Sequence, residues 1–308
     1  MTADPVTLAE PAPVGVLELD EKTDLASPAV RARVRATLEA GELLYLPNCG
    51  FALTERERQI TTDPDVMFRG NEERSRRNGR PTLTFNPATD RLQINLIRSP
   101  EKREVEAMLR RYAVWSRDLL QVLVPDFAAA CEQNRIIYRP VSRKQTQGLH
   151  VDSSWFHPTQ GRSKLRIFCN IDPKGRDRVW QVGEPFENLV RRFLPQVRGK
   201  RSWLEKAADR LAGLAGIVEG RHTDYDYLLA DLRDVAKHDK AYQKSAPRRI
   251  LEFPVGSAWV GMTDVVLHGA ISGQHALDQV FFVPPEAFND PARSAIRMLE
   301  RFTGRSLA

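Results

Sequence analysis

The chain has 308 residues, a formal net charge of +6 and 42% hydrophobic residues, enough for one large globular domain or two small ones with a real core. Its 3 cysteines show no C-x-x-C spacing, which argues against a disulfide framework or a zinc knuckle and points to a reducing compartment. No apolar run is long enough to cross a bilayer, and the first residues lack a basic, then apolar, leader, so the expected location is cytoplasmic. The positive balance favours anionic partners: phosphates, carboxylates, an anionic membrane surface or nucleic acid.

Residues 1–26 read as a loose, Pro-rich arm leading into a short strand at Val16–Leu19. Ser27-Pro28 opens a helix that ends near Gly41, and Leu43–Pro47 follows as a strand. Residues 54–95 are polar and arginine-rich, with Arg74–Arg80 an exposed loop. Val105, Met108, Leu109, Tyr112, Trp115, Leu119, Val122 and Leu123 repeat at helical spacing, and Pro125 stops that helix. Ile136–Pro140 is a strand leading to Gly148-Leu149-His150-Val151-Asp152, read as a further strand, and Lys164–Ile171 as the next one. Arg178–Val182 is a strand, and Gly183-Glu184-Pro185 opens a helix through Phe193. Amphipathic helices around 201–214 and 225–237 interrupt the strand pattern, so about 183–245 reads as a helical insertion. Strands return at Arg249–Phe253, Ser257–Val260, Val265–His268 and Leu277–Val283, and a last helix opens at Asp290-Pro291. The pattern predicts a single domain of α+β type with a mainly β core.

In a strand, alternate residues share a face, so His150 and Asp152 can grip one ion together. Two histidines and one carboxylate on one side of a metal form the facial triad of non-haem iron(II) oxygenases. The third ligand must be distant in sequence. His268, at the end of its strand, is the first choice and His275 the reserve; His157 is geometrically awkward, and His222 and His238 are expected on exposed helical sequence. Open coordination positions beside a cation suit iron(II) with dioxygen and a chelating 2-oxo acid. The far carboxylate of 2-oxoglutarate needs a buried cationic partner. Arg166, which alternates with Leu165 and Ile167, is the candidate, supported by Asn170. Arg139 is a second cation for 2-oxoglutarate or for an acidic substrate, and Gln279 is a candidate for the same pocket. For each arginine the plain alternative is a surface ion pair.

Tyr138-Arg139-Pro140, Leu149–Asp152, Pro158–Arg162, Leu165-Arg166, Arg178–Glu187, Phe193-Leu194-Pro195 and Ser272-Gly273-Gln274 together resemble the Kdo hydroxylases over about residues 35–285. These are iron(II)/2-oxoglutarate dioxygenases acting on the Kdo sugar of lipopolysaccharide. The resemblance implies a double-stranded β-helix (jelly roll, cupin-like) with added helices. It places the metal ligands on His150, Asp152 and His268 and the family's two arginines on Arg166 and Arg139, with Arg162 a further substrate-contact candidate. It implies hydroxylation of Kdo at carbon 3 to give Ko. The substrate would be Kdo-lipid A, with peripheral contact at the anionic inner-membrane surface and no nucleic-acid partner. The segment between Pro140 and Leu149 is shorter than the family pattern, which leaves the glycan acceptor open. Two other readings compete. One is a JmjC-like oxygenase of proteins or nucleic acids; the other is a metal-free jelly-roll module that binds an acidic glycan.

Overall fold

A computed structural model describes residues 12–62, 83–92, 99–140, 147–198, 201–214, 218 and 220–308. The first part of the N-terminal arm, the Arg74–Arg80 loop and most of the Pro140–Leu149 segment lie outside the described residues.

Strands rich in β-branched and aromatic residues build two sheets. The larger has eight strands. Along it run β1 (Val16–Glu18), β2 (Leu43–Leu46), β9 (Ala258–Met262), β6 (Ser163–Asn170), β11 (Ala276–Val283), β5 (Glu132–Arg139), β3 (Leu83–Asn86) and β4 (Arg91–Leu92). The smaller has three, β10 (His268–Ser272), β7 (Arg178–Val182) and β8 (Arg249–Phe253). The two face each other as a jelly roll. Between them pack Phe168 and Trp259 from the large sheet and Trp180, Phe253 and Ala270 from the small one. β6 and β11 are buried along their whole length because both of their faces are covered.

The outer face of the large sheet carries the helices. The alternation expected along β6 holds: Leu165 and Ile167 face the main apolar cluster, whereas Phe168 faces the inter-sheet aromatics. α1 (Pro28–Glu39) opens with proline in its first turn, as its sequence dictates, and its Val34 and Leu38 are buried against β2 and β9. α2 (Glu55–Thr62) leans on α3 (Ser99–Leu123). α3 turns Val105, Met108, Leu109 and Tyr112 inward, and Tyr112 donates from its hydroxyl to the Ile167 carbonyl at 2.8 Å. α4 (Pro125–Ala130) follows directly. Between β7 and β8 come α5 (Phe186–Phe193), α6 (Trp203–Leu214), α7 (Asp224–His238) and α8 (Lys240–Ser245). α7 opens on a reciprocal cap between Thr223 and Asp226. α9 (Ala295–Thr303) closes the chain after a short 3-10 turn at Pro291–Arg293 and buries Ile296 and Leu299. No helix of the described residues is long and apolar enough to cross a membrane.

Two strand expectations need correction. His150 and Asp152 do not lie in a regular strand; His150 forms an isolated bridge to His268. Val265–Leu267 is a turn, and His268 begins β10 rather than ending a strand. Asp264 and the residues after it are drawn into that turn by hydrogen bonds from the Val265 and Val266 amides to the Met262 carbonyl.

Candidate active site

The backbone sets the geometry of the histidine pair. His150 N donates to the His268 carbonyl at 3.0 Å, and His268 N donates back to the His150 carbonyl at 2.9 Å. Gln147 N adds a bond to the Ala270 carbonyl at 2.8 Å. This close approach requires Gly269, where a Cβ would sit 2.4 Å from the Gln147 carbonyl oxygen. Asp152 N then bonds the Thr263 carbonyl at 2.7 Å, which fixes the carboxylate beside the pair.

The side chains complete the arrangement. His150 Nδ1 meets the Gly148 carbonyl at 2.8 Å, and His268 Nδ1 meets the Val266 carbonyl at 2.9 Å. A carbonyl only accepts, so each Nδ1 carries the hydrogen and each Nε2 keeps a free lone pair. The Nε2 atoms lie 4.0 and 3.9 Å from the two Asp152 carboxylate oxygens. One donor atom from each of the three residues falls within 4.8 Å of the others. Two neutral imidazoles and a carboxylate, with the ring tautomers fixed from behind, fit a divalent transition metal and leave one hemisphere open.

Electrostatics agree with this donor set. Burial, then the neighbouring His268, pushes His150 down to about 3, and burial also lowers His268. Both are therefore neutral and ready to ligate at neutral pH. Burial works against the charge of Asp152, yet Arg166 foremost among its neighbours holds its carboxyl well below the ordinary range.

Behind the carboxylate lies an ion-pair chain. Arg166 of β6 reaches Asp152 through Nη1, and its Nε donates to Asp278 Oδ1 at 3.2 Å. Asp278 of β11 also pairs with Arg139 of β5. β11 runs between β6 and β5, so one fully buried carboxylate joins two guanidiniums from its flanking strands.

A recess of about 50 Å³ opens beside the triad, lined by Arg139, Arg166, Arg178, Trp180, Trp259 and Ala276 among others. Trp180 stacks on the His268 ring at a centroid distance of 5.0 Å. Arg178 is buried, its Nη1 donates to the Gly273 carbonyl at 2.5 Å, and no carboxylate pairs with it among the described residues. Burial alone pulls it down to about 10. Its Nε, the Trp180 Nε1 and the Trp259 Nε1 are all buried donors without a partner. Orphan donors on residues of both sheets that line the recess fit a site built for an anionic acceptor.

Arg139 and Arg166 are thus where the sequence placed them. Asn170, Gln279 and Arg162 are not. Asn170 is a structural clamp, donating to the Arg176 and Phe253 carbonyls at 2.9 and 2.8 Å. Gln279 points to the opposite face of β11 and donates to the Asn134 carbonyl at 2.7 Å. Arg162 pairs with Glu132 at 2.5 Å and covers the Phe282 ring, outside the recess lining. His275, the reserve ligand, bonds the Tyr138 hydroxyl at 2.8 Å and lies apart from the triad. His222 is buried rather than exposed, stacked between Trp155 and Tyr227.

Arg178, Trp180, Trp259 and Asp278 were missed. Period-two alternation carries the signal for two of them. Ala276 faces the recess, so Asp278 shares its side of β11 and Gln279 does not. Arg178 likewise alternates with Trp180 on β7.

Burial also pushes His275 from its ordinary 6.5 down to about 4. Between these values the unfolded chain binds protons that the folded histidines refuse, so stability is full above about 6.5 and falls as pH drops. The urea midpoint of the metal-free protein is expected to decline steadily from pH 6.5 towards 4, and a flat midpoint over that range contradicts the assignment of neutral buried imidazoles.

Residues 21–306 match the family described as 3-deoxy-D-manno-oct-2-ulosonic acid (Kdo) hydroxylase, a wider span than the resemblance over 35–285. No curated protein matches the chain. Among solved structures, the Kdo hydroxylase KdoO, a non-heme Fe(II) alpha-ketoglutarate dependent dioxygenase, in complex with succinate and Fe(III), is 30% identical with a TM-score of 0.84, covering 95% of this chain and 97% of that one. Its complex with alpha-ketoglutarate and Fe(III) is 29% identical with a TM-score of 0.83, covering 95% and 97%. The apo form of KdoO is 29% identical with a TM-score of 0.84 over the same shares. With a family match along nearly its whole length and a shared fold around the triad, this chain belongs to the Kdo hydroxylase family.

Proposed function

We propose that this protein hydroxylates carbon 3 of Kdo on Kdo-lipid A, giving Ko, as an Fe(II)/2-oxoglutarate-dependent dioxygenase. The observation that carries the reading is the triad itself: two carbonyl-braced imidazoles and one ion-paired carboxylate converging beside a cationic recess. His150, Asp152 and His268 would hold the iron. With 2-oxoglutarate and dioxygen, bound iron would supply the oxidation, in which the keto acid loses carbon dioxide and takes one oxygen atom to become succinate while the other enters a substrate C–H bond.

The chain's own residues bind and orient. Arg166 holds Asp152 in place. Arg139, Arg166 and Arg178 make the recess attractive to carboxylates, and Arg178 is the one whose charge no carboxylate of the described residues offsets. Three guanidiniums against Asp152 and Asp278 leave one positive charge around the recess. A bound dication raises it to three, and 2-oxoglutarate returns it to one, which the carboxylate of a sugar acid balances. The aromatic wall of Phe168, Trp180 and Trp259 keeps bulk water from the metal side. We read the chain as one dioxygenase domain with α5–α8 inserted between β7 and β8. Its place is the cytoplasm, peripheral to the inner membrane, where a lipid-borne sugar acid is presented.

The test is succinate release by the iron-loaded protein. It is expected only when iron(II), 2-oxoglutarate and Kdo-lipid A are all present, with a gain of one oxygen atom on the sugar. Turnover on a peptide or nucleic acid but none on Kdo-lipid A would favour the protein or nucleic-acid oxygenase. Failure to bind iron, with lipopolysaccharide affinity unchanged in His150→Ala, would leave only the binding module.

A further inference from the structure

Among the described residues, four large apolar side chains are exposed on one helix. On α6, Trp203 is 76% exposed, Leu204 61%, Leu211 67% and Leu214 85%. At about 100° per residue these four lie within one stripe roughly 100° wide. An amphipathic helix of a globular protein turns such a stripe to the core; here it faces outward. Trp155, 39% exposed, and Phe156, 55% exposed, meet edge to face at 5.2 Å away from the stripe. They are joined to the other side of α6, because Trp155 Nε1 donates to Asp209 at 3.2 Å and the Tyr227 hydroxyl binds the same carboxylate. The stripe is therefore held outward by contacts on the opposite face.

Two arginines stand at its border, with Asp209 and Asp224 deeper in the adjoining groove already engaged by Tyr227 and Arg305. Arg210 and Arg221 are exposed and make no ion pair among the described residues. With Leu214 they line a groove of about 840 Å³ beside the stripe. α6 is also tied to the active site: Trp155, which donates to its Asp209, follows the ligand Asp152 in sequence, and Arg233 of α7 holds the intervening Ser153 carbonyl.

We propose that the outward stripe of α6 seats the protein on an anionic lipid bilayer. A Trp and Leu face flanked by unpaired arginines has the composition of a helix lying in a membrane interface, with the apolar side chains in the acyl boundary and the guanidiniums on phosphate headgroups. The inference rests on the reading of the substrate as a lipid-borne sugar acid, and it gives that reading a surface.

The experiment is co-sedimentation of the full chain, metal-free, with vesicles of phosphatidylglycerol and phosphatidylethanolamine, against vesicles of phosphatidylcholine alone. The wild type is expected to sediment with the anionic vesicles and to be released by salt. Trp203→Glu/Leu211→Glu is expected to weaken that binding by about tenfold or more while keeping the wild-type melting curve, since both side chains are exposed. Arg210→Glu/Arg221→Glu is expected to remove the preference for anionic lipid. Equal binding by the wild type and the Trp203/Leu211 variant overturns the proposal. So does sedimentation velocity showing a wild-type dimer that the variant abolishes, because the stripe would then belong to a second copy. Failure of the enzymatic reading looks different: vesicle binding persists and no succinate forms.

Discussion

Asp278→Ala is expected to lower stability by about 3–5 kcal/mol, the usual cost of leaving buried charges without their partner. Asp278 is fully buried and shared by Arg139 and Arg166. Removing it takes a buried carboxylate from two guanidiniums at once, and Arg166, left with Asp152 alone among its carboxylates, loses the anchor that aims it there. For a chain of this size the melting temperature falls on the order of 10 °C. Asp278→Asn keeps the shape and one acceptor, so it folds better and isolates the second effect. With Asp152 less firmly held, iron affinity drops about 10–100-fold, as for other partners behind a metal ligand. Thermal melts and an iron titration read the two effects separately. A melting curve unchanged in Asp278→Ala would show that the ion-pair chain is not what holds the recess together.

Arg178→Leu separates binding from folding in the opposite sense. Arg178 is buried with no carboxylate beside it, and burial disfavours its charge enough to bring it down to about 10. Removing such a cation relieves the ligand-free protein, so its melting temperature is expected to stay level or rise. The loss falls on the anion. A hydrogen bond to a charged group contributes about 1.5–3 kcal/mol, so the KM for 2-oxoglutarate rises roughly 10–150-fold. Lysine at the same place restores the charge but not the fork, and recovers part of the affinity. The measurement is succinate formation against 2-oxoglutarate concentration, with a melt alongside. An unchanged KM would assign Arg178 to the fold rather than to the keto acid.

Much of this was legible in the sequence because local rules govern it. Ser27-Pro28 marked α1, the helical stripe from Val105 to Leu123 marked α3, and the alternation in Lys164–Ile171 marked a strand with Arg166 on the inner face. His268 was found as the distal ligand even though its strand begins where it was expected to end. The errors share a physical cause. Asn170 and Gln279 are polar groups on buried strands, and each is satisfied by nearby carbonyls, a pairing that sequence spacing does not show. Asp278 was overlooked because its value lies in two partners on neighbouring strands, and strand order comes only with the fold. Arg178 was read as part of a motif string rather than as a charge. What distinguishes it is the lack of a carboxylate, and that becomes visible only when every neighbour is placed. His222 was assigned to solvent because its own sequence is polar, whereas two aromatic rings from elsewhere enclose it.

The reciprocal amide bonds between His150 and His268 have one more implication. They draw the two imidazoles together by main-chain pairing alone, so the seat is shaped before any ion arrives. Small zinc-dependent folds collapse when stripped by a chelator because the metal is their core. Here the seat rests on main-chain pairing, so stripping the protein with a chelator is expected to leave the jelly roll folded.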